Sequence, residues 1–205
     1  MAFDPERAEE CHGTLIIADR RAAVAELFEV TEAANRGVLD LTLLQGIGKG
    51  DKTEEVVRTV TALGARAVYF VAAERSVARP GEERSERLRS VAIEAARQSG
   101  RADIPRIEGP MDLTRALSAF AGTTATRLCL DPKAPTPLGE RLSEPCVLLI
   151  GPEGGLSADE LSLASDAGFE RVALGPLTLR TELAAAVALG CFAARRGGSG
   201  GTSAS

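Results

Sequence analysis

From residue 41 to residue 194, short apolar runs alternate with helical apolar stripes, and that alternation leaves few folds open. Residues 41–44 read as a strand. Residues 54–63 read as a helix with Val56, Val57, Val60 and Leu63 on one face, a Glu54–Arg58 pair outside and Gly64 at its end. Residues 67–71 form the next strand. A long helix over 83–99 turns Leu88, Val91 and Ala95 inward and stops at Gly100, and a further helix is expected over 111–121. Residues 127–130 and 147–150 are apolar enough to be strands buried on both faces, as in a parallel sheet. Ser157 and Glu160 form a capping box for a helix that ends at Gly168. Residues 171–174 are a strand. The helix over 181–194 is apolar nearly all round, which suits deep packing or an interface. The sum is an α/β domain with a parallel sheet, spanning 41–196. Residues 1–40 form a short appendage, with a strand over 12–17 and either a helix or a strand over 24–30. The Gly, Ser, Thr and Ala tail at 197–205 is expected to be disordered.

Charge narrows the function. The first 40 residues hold nine acidic and four basic groups, which accounts for the whole net charge of −5. The stretch 75–106 carries eight Arg against five acids, one local basic patch on a near-neutral body rather than a general nucleic-acid coat. The absence of Trp and the single Tyr exclude a base-stacking platform. Cys11, Cys129, Cys146 and Cys191 lie far apart with no CxxC pair, so neither a disulfide framework nor a zinc site is expected. His12 is the only histidine, so a Ser-His-Asp triad or a His-rich metal site is hard to build. No apolar run reaches the roughly 20 residues that span a bilayer. The acidic start lacks a signal sequence. A cytoplasmic protein without membrane or metal involvement is the expectation.

Two groups of residues could carry chemistry. Gly46-Ile47-Gly48-Lys49-Gly50-Asp51-Lys52-Thr53 follows a strand and precedes a helix, as a P-loop does. Asp51 stands where that pattern needs glycine and puts negative charge beside the phosphates, so the segment reads as a Gly-rich turn. The stronger signal is a pair of loops. Gly151-Pro152-Glu153-Gly154-Gly155 follows the strand ending at Ile150. Gly175-Pro176 follows Leu174 and leads to Leu179-Arg180-Thr181-Glu182. Ligands of α/β sheets bind at such carboxyl ends of strands, and Gly-Pro openings let backbone approach a ligand unobstructed.

These two loops resemble those of the knotted SPOUT methyltransferases, most closely the family that makes N3-methyluridine in small-subunit ribosomal RNA. That family reads IGPEGG before a Ser-capped helix and LGxxILRTETA in the second loop. Lys49-Gly50-Asp51, Glu74-Arg75-Ser76 and the segment from Glu94 through Gln98 to Arg101, followed by Pro105, match its upstream pattern. The chain departs from the pattern at Ala62-Leu63-Gly64, where the family has ELG. It departs again at Leu177, commonly basic, and at Leu183, where the family's TETA has a second Thr. The family also carries an N-terminal PUA-like β-barrel, of which residues 1–40 would be a reduced form.

The resemblance implies a C-terminal trefoil knot and S-adenosylmethionine as donor. Donor contacts would come from Ile150, Gly151, Glu153, Gly154, Gly155, Leu174, Gly175, Leu179, Arg180 and Thr181. It also implies an RNA substrate, ribosomal and naked or as ribonucleoprotein, with contacts from Arg75, Gln98 and Arg101, and a homodimer with the active site at its interface. A sulfonium donor is already activated, so the protein positions the reactants and handles the uridine N3 proton. Arg180 is the candidate to stabilise a developing uridinate, and Glu182 to orient Arg180 or take a proton. The alternative is a SPOUT-fold binding or regulatory protein that has lost efficient RNA methylation.

Overall fold

The computed structural model describes residues 2–4, 9–19, 22–32, 39–48, 52–76 and 83–198. Strands β1 (Ala2–Asp4), β2 (Glu9–Ala18) and β3 (Ala23–Glu32) form an antiparallel sheet in the order β1-β2-β3. The segment left open between helix and strand is therefore a strand, as its β-branched and aromatic residues favour. His12 lies opposite Glu29 in that sheet, and Leu15, Ile16, Ile17, Val24, Leu27, Phe28 and Val30 are exposed on it.

From Leu39 the chain alternates as expected. It runs β4 (Leu39–Gly46), α1 (Lys52–Ala62), β5 (Ala65–Ala72), α2 (Glu83–Ser99), β6 (Arg106–Asp112), α3 (Leu113–Phe120) and β7 (Thr126–Leu130). It continues with β8 (Cys146–Ile150), α4 (Ala158–Asp166), β9 (Glu170–Val172) and α5 (Thr181–Gly198). The six strands β4 to β9 pair in the order β6-β5-β4-β8-β7-β9, and every pairing is parallel.

Strand alternation divides the core between the two faces of this sheet. Leu41 and Leu43 of β4 and Leu148 and Ile150 of β8 pack with Val56, Val57 and Val60 of α1, Leu88 and Val91 of α2, and Ala185, Leu189 and Phe192 of α5. Leu44, Val147 and Leu149 point the other way, onto Leu113 and Leu117 of α3 and Ala164 of α4. Cys129 and Cys146 are buried in these layers, and burial pushes both thiols up to about 12. Among the described residues no helix is long and apolar enough to cross a membrane.

Three expectations are corrected. Strand β6 was not expected, because Arg106-Ile107-Glu108-Gly109-Pro110 is polar and broken by Gly-Pro; it is an edge strand, where a proline is tolerated. It takes Met111 and Asp112 from the expected helix, and Asp112 caps α3 by accepting from the Thr114 amide. The expected Glu54–Arg58 pair forms, at 3.9 Å, but Glu54 is buried rather than outside, because Arg87 of α2 reaches it at 2.6 Å. Helix α5 continues to Gly198, so the first two residues of the expected tail are helical, and residues 199–205 lie outside the described residues.

Candidate active site

The strand order reverses between β4 and β8, since β5 and β6 lie to one side and β7 and β9 to the other. The crevice at the carboxyl ends of such neighbouring strands is where open α/β sheets bind ligands. The turn after β4, the segment 73–76 after β5, the loop 151–157 after β8 and the start of α5 all converge there.

Close backbone approach sets the first contact. A Cβ on Gly46 would meet the Pro152 nitrogen, with Pro152 Cδ at 2.6 Å and the Gly151 carbonyl carbon at 2.7 Å. Only glycine lets the end of β4 and the Gly-Pro turn lie this near each other. The Thr181 hydroxyl then ties the two Gly-Pro loops together. It donates to the Gly151 carbonyl at 2.7 Å and accepts from Gln45 Nε2, also at 2.7 Å. Gln45 and Thr181 are buried, and Gln45 Oε1 is buried without a hydrogen-bond partner.

The capping box expected at Ser157 is present. The Ser157 side chain accepts from the Glu160 amide, and the Glu160 carboxylate accepts from the Ser157 amide at 2.8 Å. The other Glu160 oxygen accepts from the Glu74 amide at 2.7 Å, so the same carboxylate holds the segment after β5 to α4. Arg75 follows, exposed, and donates to the Gly154 carbonyl at 2.8 Å.

Acidic groups of both loops meet at Lys52, the first residue of α1. Its Nζ lies 3.2 Å from Glu153 and 3.4 Å from Glu182. Burial alone would lower the Lys52 pKa, but hydrogen bonds and charge from the two carboxylates outweigh it and raise it. Glu182 therefore faces Lys52. Arg180 is exposed, and among the described residues its guanidinium makes no ion pair.

The remaining residues expected to contact the donor lie in or beside the same two loops. Ile150 is buried at the end of β8, and Leu174 and Leu179 pack against the core. Gly155 and Gly175 have φ of +69° and +155°, and a Cβ on either would meet nothing within 4 Å. At both positions the backbone stands open where a side chain would otherwise project. Of the expected RNA contacts, only Arg75 reaches these loops. Gln98 is exposed in the last turn of α2. Arg101 is buried and committed elsewhere, to Asp103 at 2.6 Å and to the Thr61 carbonyl at 3.1 Å, which holds α1 to the turn after α2. Residues 49–51, part of the rejected P-loop and of the upstream match, lie outside the described residues. Among the described residues no cluster of three or more His, Cys, Asp or Glu side chains is placed to hold a metal. Sequence reasoning missed Lys52 and Gln45; their signal was position, one ending β4 and the other opening α1 beside the Gly-rich turn.

The family model for the RNA methyltransferase domain matches residues 35–193, which takes in every element of this crevice. The chain belongs to the RNA methyltransferase domain family. It is 34% identical over 177 residues to the ribosomal RNA small subunit methyltransferase E of Synechocystis, covering 83% of this chain and 58% of that protein. The Mycobacterium tuberculosis protein of the same name is 37% identical over 161 residues, covering 73% of this chain and 61% of its own. The chain thus spans about three fifths of the curated relatives it matches. The crystal structure of the Neisseria gonorrhoeae ribosomal RNA small subunit methyltransferase E, bound to S-adenosyl methionine, superposes with a TM-score of 0.83 at 29% identity. That match covers 94% of this chain and 81% of the other. This RNA methyltransferase domain is of the small subunit methyltransferase E type in the SPOUT superfamily, the group its two Gly-Pro loops resemble.

Proposed function

We propose that the protein transfers a methyl group from S-adenosylmethionine to N3 of a uridine in small-subunit ribosomal RNA. The observation that carries this reading is the joining of the two Gly-Pro loops, through Thr181 and Gly151, over the open positions at Gly155 and Gly175. The bound donor supplies an activated methyl group, so the chain's own residues hold and orient. Ile150, Gly151, Gly154, Gly155, Leu174, Gly175, Leu179 and Thr181 line the donor site, and Glu153 holds its outer edge through Lys52. Arg180, unpaired among the described residues, is available to meet negative charge developing on the base.

Residues 41–196 form the catalytic unit in this reading, and the β1–β3 sheet is a PUA-like portion. In this reading the segment after β9 passes through a trefoil knot, and Thr181 lies against the Gly151 carbonyl. Arg75, beside Gly154, is the first candidate for RNA contact, and Gln98 offers a second on the exposed end of α2. Leu183 and Val187 are exposed one turn apart on α5, with Leu177 nearby in sequence. They suit an isologous homodimer contact. A ribosomal RNA substrate places the protein in the cytoplasm.

The deciding experiment is transfer of labelled methyl from S-adenosylmethionine to protein-free ribosomal RNA and to assembled small subunits, with nucleoside analysis of the product. N3-methyluridine is the expected product. The Arg180→Ala variant should lose on the order of a hundredfold in rate with donor affinity nearly intact. Donor binding without transfer to either substrate would make the chain a SPOUT-fold binding or regulatory protein instead.

A further inference from the structure

Lys52 opens α1, outside both Gly-Pro loops, yet its ammonium is where their acidic groups meet. Glu153 belongs to the loop after β8 and Glu182 to the first turn of α5. The Glu182 side chain is only 9% exposed, and its buried Oε2 faces the Lys52 ammonium at 3.4 Å. Among the described residues, Lys52 is the one cation within ion-pair distance of it. A buried carboxylate with a single counter-ion depends on that ion, because loss of the partner leaves an uncompensated charge out of water. The neighbouring contacts show what that charge would disturb. Thr181 precedes Glu182 and holds Gly151, and Gly48 lies against the Glu153 carboxylate, where a Cβ would approach Oε1 to 2.7 Å.

We propose that Lys52 is a positioning residue for methyl transfer: held between Glu153 and Glu182, it fixes the two Gly-Pro loops at the separation that the donor requires. The proposal rests on the donor-site reading above. Lys52 touches no reacting atom. It acts through the two carboxylates, and its long apolar stem lets one charge reach both.

The test compares wild type, Lys52→Met, Lys52→Arg and the double variant Lys52→Met/Glu182→Gln by calorimetric titration with S-adenosylmethionine. Thermal melts of the free proteins run alongside. Lys52→Met keeps the stem and removes the charge. It should weaken donor binding by about tenfold or more. Lys52→Arg restores the charge and should recover most of the affinity. In the double variant, neutralising Glu182 removes the stranded charge, so the combined loss should be smaller than the product of the single losses. In turnover, the loss should appear in the donor KM more than in kcat. Wild-type affinity in Lys52→Met, or an Arg variant as weak as the Met variant, overturns the proposal while leaving the donor site standing. Failure of the wild-type protein to bind S-adenosylmethionine overturns the donor-site reading and this proposal with it.

Discussion

Asp131 stands at the carboxyl end of β7 with its side chain 7% exposed, and Arg171 of β9 pairs with it. Burial alone would push the Asp131 carboxyl up. The Lys133 amide, which donates to it at 2.9 Å, and the Arg171 guanidinium outweigh burial and hold it below the ordinary carboxylate range. Because the folded value is the lower one, the stability this contributes is present above the unfolded pKa. It is lost as the pH falls through the folded value. Arg171→Ala should therefore cost about 1–3 kcal/mol near neutrality, the usual penalty for stranding a buried polar group. The cost should shrink as Asp131 protonates in acid. Denaturant unfolding of both proteins from pH 7 to pH 3 measures this, and a difference that stays constant with pH would contradict it. The same single-residue logic separates Arg101 from Arg180. Both are arginines in motif-bearing segments, but Arg101 is buried on Asp103 and Thr61 whereas Arg180 is exposed and unpaired among the described residues. Sequence alone could not distinguish them, because what separates them is a contact with α1, 40 residues away.

The strands and helices show which signals carried through to structure. β8 has all five residues buried, and its uninterrupted apolar run identified it as a central parallel strand. The α4 cap was visible because a capping box is a local pattern that needs no tertiary partner. β6 was invisible, because an edge strand needs neither apolar alternation nor an unbroken donor row. Glu54 was misplaced for a related reason: an i,i+4 pair with Arg58 suggests an exposed face, whereas Arg87 from α2 covers it. The site's loops were legible, but the elements that lock them were not, since Gly46, Gln45 and Lys52 act through distant partners. Gly46 tests this at the scale of the β4 and β8 loops. In Gly46→Ala the new methyl must displace Pro152 or the end of β4, because the facing atoms are backbone and ring. Donor affinity should fall by roughly tenfold or more, while the buried ladder from Leu41 to Gln45 keeps the sheet paired. Gly139→Ala, exposed and with nothing within 4 Å of its Cβ, is the control and should stay within about 0.5 kcal/mol of wild type. Calorimetric donor binding unchanged in Gly46→Ala would show that the loop shifts without consequence.

Across the whole molecule the basic excess is smaller than the sequence suggests. The stretch 75–106 holds eight Arg against five acids, and the fold spends several of those arginines internally. Arg87 pairs with Glu54, Arg101 with Asp103 and Arg106 with Glu108. Ion-paired arginines release fewer counterions on binding phosphate, because their charge is already partly met within the protein. The rest of the chain offers no compensating field, since outside 75–106 it holds 16 basic against 24 acidic groups, and with only 3% aromatic residues in the chain stacking adds little. Phosphate contacts dominate nucleic-acid affinity, so this chain should hold protein-free RNA weakly. With at most about three phosphates neutralised, the logarithm of its affinity should fall with the logarithm of salt concentration at a slope of about two or less in magnitude. Methyl transfer should then favour a substrate whose shape supplies the missing grip, which makes an assembled subunit a better acceptor than naked RNA. Filter binding at several salt concentrations, paired with transfer to both substrates, checks the two halves together. Tight binding to naked RNA with a steep salt slope would mean that the arginines leave their internal partners on contact. In that case Arg87→Gln should weaken RNA binding, whereas in the arrangement described here it disturbs only the buried Glu54.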